Sequence, residues 1–202
     1  MLELNGLTYQ QPGSILQEVN LNANVGRFIL VGGPSGIGKT TLIDIISGFH
    51  QPKTGTVKWY NENLLAKPPW ARPVSTMFQT DNFFPHLSVK ENLLLGLKKT
   101  AELSNKIQNK LEFLNVSSLL NRKSENLSGG ELQRVSLVRA LSREKPILLL
   151  DEPFSALDTK MVKKASKLIV KYTKEMQSVT VIVSHRDVSA YLDGNYKIEL
   201  RQ

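Results

Sequence analysis

The sequence contains no cysteine, so neither a disulfide framework nor a thiolate metal site can be built from it. That absence fits a reducing compartment. It also has no apolar run of the length that spans a bilayer. The longest candidate, "PILLLDEPF", is interrupted by two acids. The N-terminal "MLELNGLTYQ" has no basic stretch followed by an apolar core and does not read as a signal peptide. No internal repeat and no low-complexity linker divides the chain. What remains is 202 residues, enough for one large domain, or a domain with a sub-lobe, around a sizeable core. The net charge is +8. A basic chain can bind nucleic acid, anionic lipid or nucleotide, but these lysines are scattered, as on a solvated surface.

Glycine is concentrated in one place. In "LVGGPSGIGKTTLIDIISG" four glycines fall within seven positions, followed by a lysine and two threonines. Gly33-x-x-x-x-Gly38-Lys39-Thr40 fits the phosphate-binding loop pattern. Before it, "RFILVGG" has the composition of a buried strand. After it, Leu42, Ile45 and Ile46 recur at helical spacing, with Gly48 as a stop. Strand, loop and helix are in the required order. In this pattern the loop Gly33-Pro34-Ser35-Gly36-Ile37-Gly38 and the helix start turn backbone N–H groups toward a polyphosphate. Proline itself lacks that donor. Lys39 reaches the β- and γ-phosphates, the Thr40 hydroxyl ligates Mg²⁺, and Thr41 completes the helix start.

Carboxylates and a histidine stand at two further strand ends. Ile147 to Leu150 read as a buried strand that ends in Asp151 and Glu152. Adjacent carboxylates there need a cation or a shared proton. Ligands of open parallel sheets bind at the carboxyl ends of strands. Asp151 is thus placed to hold Mg²⁺, and Glu152 to polarise an attacking water. Val179 to Val183 form another buried strand, ending at Ser184-His185. His185 there can donate to the γ-phosphate or the water. Gln79 follows a short apolar stretch and offers a neutral oxygen to Mg²⁺ and water.

"NLSGGELQRVSLVRAL" predicts a helix capped by Ser128 and running to about Arg143. Ser128 and Glu131 form a capping box in sequence. Gly129 and Gly130 fall in the first helical turn, where glycine weakens a helix. They permit close approach of a second phosphate. A second phosphate-seeking element in a chain with one nucleotide site suggests that two copies share their nucleotides.

"GGPSGIGKTT", Gln79, "LSGGE", "ILLLDEP", "SALD" and "SH" occur in the order of the ATP-binding cassette (ABC) ATPases, which the chain resembles over nearly its whole length. The resemblance implies ATP and Mg²⁺ as ligands and a head-to-tail dimer. Each ATP would lie between one phosphate loop and Ser128-Gly129-Gly130 of the other copy. Glu152 would be the catalytic carboxylate and His185 the switch histidine, and Asp158 would pass information between sites. Two positions depart from the pattern. Glu131 stands where glutamine is usual, and it would repel a γ-phosphate unless it turns back into the capping box. Family members stack adenine on an aromatic residue near the N-terminus, but Gln11 occupies that position here. Tyr9, two residues upstream, can substitute or can be a core or sheet-face residue.

From Gln79 to Leu127 is 48 positions, which suits the compact helical subdomain of transporter ATPases. The segments "GFHQPKTG", "PPWARPVSTMFQ" and "NFFPHLSVKENLLLGL" are similar to bacterial importers of small solutes, and most of all to the thiamine-importer ATPase group. The implied partners are separate integral-membrane permease subunits, a second copy of the chain and, indirectly, an extracellular or periplasmic solute-binding protein. Nucleic acid is not an expected partner. The implied place is the cytoplasmic face of the inner membrane, peripherally bound. The aromatic pair Phe83-Phe84, with Pro85, predicts a groove beside Gln79 for a short cytoplasmic helix of the permease. The expected fold class is α/β, with a P-loop NTPase (RecA-like) core and a mainly parallel sheet. An N-terminal antiparallel β portion and an inserted helical subdomain over about 85–143 complete a single domain over 1–202. Two other classes stay open: a non-transport ABC ATPase acting on nucleic acid or ribosomes, and a regulatory ATPase of a membrane complex.

Overall fold

A computed structural model describes residues 1–202 except 13, 81, 96, 98–103, 193, 194, 201 and 202, and the side chains of 14 and 195–197. Two sheets organise the described residues. The first holds β3 (Phe28–Gly32), β6 (Val74–Met77), β7 (Ile147–Asp151), β8 (Val179–Val183) and β9 (Asn195–Glu199) in the order β6-β7-β8-β3-β9. Every neighbouring pair in it is parallel. The second holds β1 (Leu2–Gln11), β2 (Ser14–Ala23), β4 (Thr54–Trp59) and β5 (Glu62–Asn63), in the order β2-β1-β4-β5, all antiparallel.

The central strands β7 and β8 are buried at every position. A parallel sheet covered on both faces requires that, and it explains their unbroken apolar runs. Successive side chains alternate between two cores. Phe28, Leu30, Leu148, Leu150 and Ile182 join one cluster, together with helices α4 (Gly129–Ser142) and α5 (Thr159–Glu175). Ile29, Val31, Ile147, Leu149 and Val181 face the other, shared with α1 (Lys39–Ser47) and the antiparallel sheet.

Between β6 and β7 lie α2 (Val89–Leu94), α3 (Asn105–Phe113) and α4, the helices expected over about 85–143. Asn92 is fully buried, and its side chain organises the turn before α2. It accepts from Phe84 N–H at 2.8 Å and donates to Phe84 O at 3.1 Å.

Helix α1 stops at Gly48, whose φ of 98° is left-handed. Here glycine has a second reason. A Cβ on Gly48 would lie 2.7 Å from Arg72 Nε, so a side chain would displace the guanidinium. Arg72, 1% exposed, donates from Nη1 to Ile45 O at 2.6 Å and Ile46 O at 3.0 Å. It thereby satisfies carbonyls left over at the helix end.

Candidate functional site

The phosphate loop connects β3 to α1, and its left-handed glycines shape the turn. Gly36 has φ 78° with open space beside it. Gly38 has φ 99°, and a Cβ there would come within 2.6 Å of Ile15 O. Only glycine therefore brings the loop against β2. The Ile37 side chain is core, 8% exposed, so that residue offers the site only its backbone.

Lys39 is buried and folds back over the loop, donating from Nζ to Gly33 O and Pro34 O, both at 2.8 Å. One turn of helix places Thr40 beside the end of β7. Its hydroxyl donates to Asp151 Oδ2 at 2.8 Å. Asp151 is buried, and its Oδ1 has no hydrogen-bond partner. Burial raises the pKa of this carboxyl above the usual aspartate range, opposed by the Thr40 hydrogen bond.

Glu152 turns out of the strand in the left-handed region, φ 49°. Such a conformation is uncommon for a residue with a side chain. It aims the carboxylate sideways toward β8. Oε1 accepts from His185 N–H at 3.0 Å and lies 3.5 Å from His185 Nε2. Burial raises its pKa as well, more than the neighbouring His185 lowers it. Both acids are thus held where their charged forms lack solvent.

These groups line one pocket of about 260 Å³. Ser35, Gly36, Gly38, Lys39, Thr40 and Thr41 form its floor, and Gln79, Asp151, Glu152 and His185 its walls. Four separate segments of sequence converge there. Among the described residues, no group of three or more histidines and acids could hold a metal. A magnesium ion fits all the same, because it keeps water and phosphate ligands and takes only one or two groups from protein. The unpartnered Asp151 Oδ1 and the Thr40 hydroxyl would be those groups, with the exposed Gln79 in the same pocket.

Ser128, Gly129, Gly130 and Glu131 lie outside that pocket, at the start of α4. The capping box is formed in full. Glu131 N–H donates to Ser128 Oγ at 3.3 Å, and Glu131 Oε2 accepts from Ser128 N–H at 2.8 Å. Glu131 is therefore turned back from the helix end, with Arg122 3.6 Å from its other oxygen. Its pKa is lowered, first by the Ser128 backbone bond. Asp158 caps α5, accepting from Met161 N–H at 2.8 Å.

Of the two readings open for Tyr9, its position in the structure fits the core one. It is 3% exposed, belongs to the core under α1 and packs its ring 5.2 Å from that of His50. Strand alternation turns it inward with Leu7, so it offers no face to adenine. Ile15, 56% exposed and backed against Gly38, is the apolar surface beside the loop.

Two residues of the site escaped sequence reasoning. Gln133 donates to Glu152 O at 2.8 Å and to Ser155 Oγ at 2.7 Å, and it accepts from Ala156 N–H at 2.8 Å. Arg186 donates to Leu157 O at 2.6 Å. Together they fix the loop from Glu152 to Asp158. The same loop explains Gly130, because a Cβ there would press on Ala156 O at 3.0 Å.

Comparison with known proteins places this arrangement. The family model described as "ABC transporter" matches residues 16–155. The thiamine import ATP-binding protein ThiQ of Haemophilus influenzae is 43% identical over 171 residues, 83% of this chain and 80% of the relative. ThiQ of Aliivibrio fischeri is 40% identical over 189 residues, 92% of this chain and 80% of its own. The spermidine/putrescine import ATP-binding protein PotA 1 of Pseudomonas aeruginosa is 42% identical over 154 residues, 72% of this chain and 42% of that one. Among solved structures, the dimeric MJ0796 ABC transporter cassette superposes with a TM-score of 0.83 at 30% identity, over 98% of this chain and 94% of that one. Its post-hydrolysis dimer bound to ADP and Pi gives 0.83 at 29% identity, over 100% and 97%.

Proposed function

The chain belongs to the ABC transporter family and is an importer ATPase, and on that premise we propose that it powers thiamine uptake through a separate membrane permease. The observation that carries the enzymatic part is the single pocket joining Lys39, Thr40, Asp151, Glu152 and His185 from three strand ends. The thiamine assignment is supported by the ThiQ relatives at 38–43% identity.

In this reading ATP lays its phosphates along the loop N–H groups and the start of α1. Lys39 leaves its carbonyl partners for the β- and γ-phosphates. Thr40 and Asp151 would hold Mg²⁺, which would supply charge neutralisation to the polyphosphate when bound. Glu152, a base strengthened by burial, takes the proton of the attacking water, and His185 donates to the γ-phosphate. Gln133 and Arg186 keep Glu152 and its loop in register. Adenine rests on the exposed face of Ile15, in place of an aromatic ring.

Ser128, Gly129 and Gly130 complete the site of a second copy, head to tail. Glu131 does not repel the γ-phosphate, because its carboxylate is engaged in its own capping box. Permease subunits dock in a cavity of about 540 Å³ between the sheet edge and α4. Phe49, Trp70, Phe78, Phe83 and Phe84 line it, whereas Pro85 does not. Phe84 is exposed, and Phe83 packs on the core beneath Arg139. The chain then works at the cytoplasmic face of the inner membrane, in contact with the solute-binding protein only through the permease.

Uptake of labelled solutes by a deletion strain, across a panel that includes thiamine, tests the proposal. Thiamine uptake should be lost and should return with the intact gene. Normal thiamine uptake in the deletion strain contradicts the assignment.

A further inference from the structure

We propose that Arg72 is a positioning residue that makes one wall of the docking groove move with the nucleotide-binding helix, and that Trp70 is the side chain through which this movement is felt. The inference rests on the permease-docking reading above.

Helix α1 has nine residues, about 13 Å of length. Its first residues, Lys39 and Thr40, line the phosphate pocket. Its far end is gripped by Arg72 through Ile45 O and Ile46 O. The same guanidinium donates from Nε to Lys67 O at 3.0 Å. Between Lys67 and Arg72 lies a tight turn that begins with Pro68 and Pro69, two residues of fixed φ. Ala71 N–H bonds Pro68 O at 3.0 Å, and Arg72 N–H bonds Pro69 O at 3.2 Å. Such a turn has little freedom to bend internally. One cation therefore fastens both the helix end and the base of the turn.

Trp70 stands at the tip of that turn. It is 85% exposed, more than any other large apolar side chain described. Nothing in the core needs it there, and exposing an indole to water is unfavourable. Trp70 lines the groove on the same side as Phe49, the residue that follows Gly48. The facing wall comes from Phe84, from Arg139 of α4 and from Arg143, which caps that helix. One wall is thus fixed to the helix that holds phosphate. The other is fixed to the helix that begins with Ser128. A change in the angle between the two helices alters the width of the groove.

Lysine cannot replace Arg72 in this role. A point charge on a flexible stem can meet the helix carbonyls but cannot hold Lys67 O at the same time in fixed geometry. Gly48 belongs to the device, because any side chain there meets the guanidinium at 2.7 Å.

Trp70 is its own probe. The chain has two tryptophans, so Trp59→Phe leaves Trp70 alone. In the isolated Trp59→Phe chain, ATP with Mg²⁺ should change the emission of Trp70. Adding Arg72→Lys should leave ATP binding, measured by calorimetry, in place while cutting that emission change by about fivefold or more, the scale of a broken coupling contact. A full emission change in Arg72→Lys overturns the proposal, and so does no change in the chain that keeps Arg72. The second outcome needs no Arg72 variant, so failure of Arg72→Lys to fold leaves the test intact. In the complex with the permease, Trp70→Ala should lose most of the permease stimulation of hydrolysis. Retained stimulation overturns the role of Trp70. The fluorescence arm needs no permease, so its result is separate from that of the uptake assay.

Discussion

Thr40 and Asp151, 111 positions apart in sequence, are joined by a hydrogen bond of 2.8 Å from the hydroxyl to the carboxylate. That bond closes the phosphate loop onto the end of β7. It leaves the second oxygen of Asp151 buried and without a partner. A buried oxygen without a partner costs stability, and in the proposed reading a magnesium ion would offset that cost.

Asp151→Asn should therefore stabilise the nucleotide-free chain near neutral pH. The folded pKa is raised by burial, so the native state binds the proton more tightly than the unfolded one. Wild-type stability falls as pH rises from the ordinary aspartate value through the raised one. The gain in melting temperature from Asp151→Asn should thus be present at neutral pH and fade in acid, where Asp151 is protonated. In the same variant Mg²⁺ should no longer improve ATP binding. A variant that melts lower than wild type at every pH contradicts this account.

Lys39→Ala should reduce ATP hydrolysis by about a hundredfold or more, as expected when a fixed donor to developing charge is removed. It should also weaken nucleotide binding. The two loop carbonyls it now satisfies belong to the partly exposed Gly33 and the exposed Pro34, so the fold should survive. Steady-state turnover and circular dichroism check the two halves.

The sequence disclosed these features because each is local. The phosphate loop, the capping box at Ser128, the stop at Gly48 and the buried runs at Ile147 and Val179 depend on neighbours within a few positions. The rest is built at long range. Arg72 reads as an ordinary basic residue until the fold sets it over the end of α1. Gln133 reads as the polar face of a helix until the loop after β7 comes against it. Tyr9 was open to two readings because alternation names two faces, and only the packing of the second sheet on α1 says which is inside. Phe83 and Phe84 look equivalent in sequence, yet one packs beneath Arg139 and the other is exposed.

Gln133→Ala should lower hydrolysis by about tenfold with little loss of ATP binding. It removes bonds to Glu152 O, Ser155 Oγ and Ala156 N–H, each worth about 1 kcal/mol. The base then loses its register while the phosphate loop is untouched. A change confined to KM would place Gln133 in ATP binding instead.

Tyr9→Leu, which removes the aromatic face and keeps an apolar side chain in the core, should leave ATP affinity unchanged, because the ring is core. Ile15→Ser should weaken ATP binding by about threefold to tenfold, the loss of one partly covered aliphatic side chain. Calorimetric titration of the two variants separates them. A larger effect from Tyr9→Leu would return adenine to the tyrosine.

The most direct measurement is the mass of the Glu152→Gln chain by size-exclusion chromatography with light scattering, in ATP and Mg²⁺, with and without Ser128→Arg. Glu152→Gln keeps the shape of the side chain but not the base, so hydrolysis should fall by roughly a hundredfold or more. It also removes a buried negative charge beside the polyphosphate. The ATP-bound dimer should accumulate. Ser128→Arg adds bulk at the start of α4, where the partner's γ-phosphate must lie, while the phosphate pocket of its own chain is unaltered. The account predicts a dimer for Glu152→Gln and a monomer for the double variant. A dimer that forms equally well with Ser128→Arg present would contradict a nucleotide site completed by a second copy.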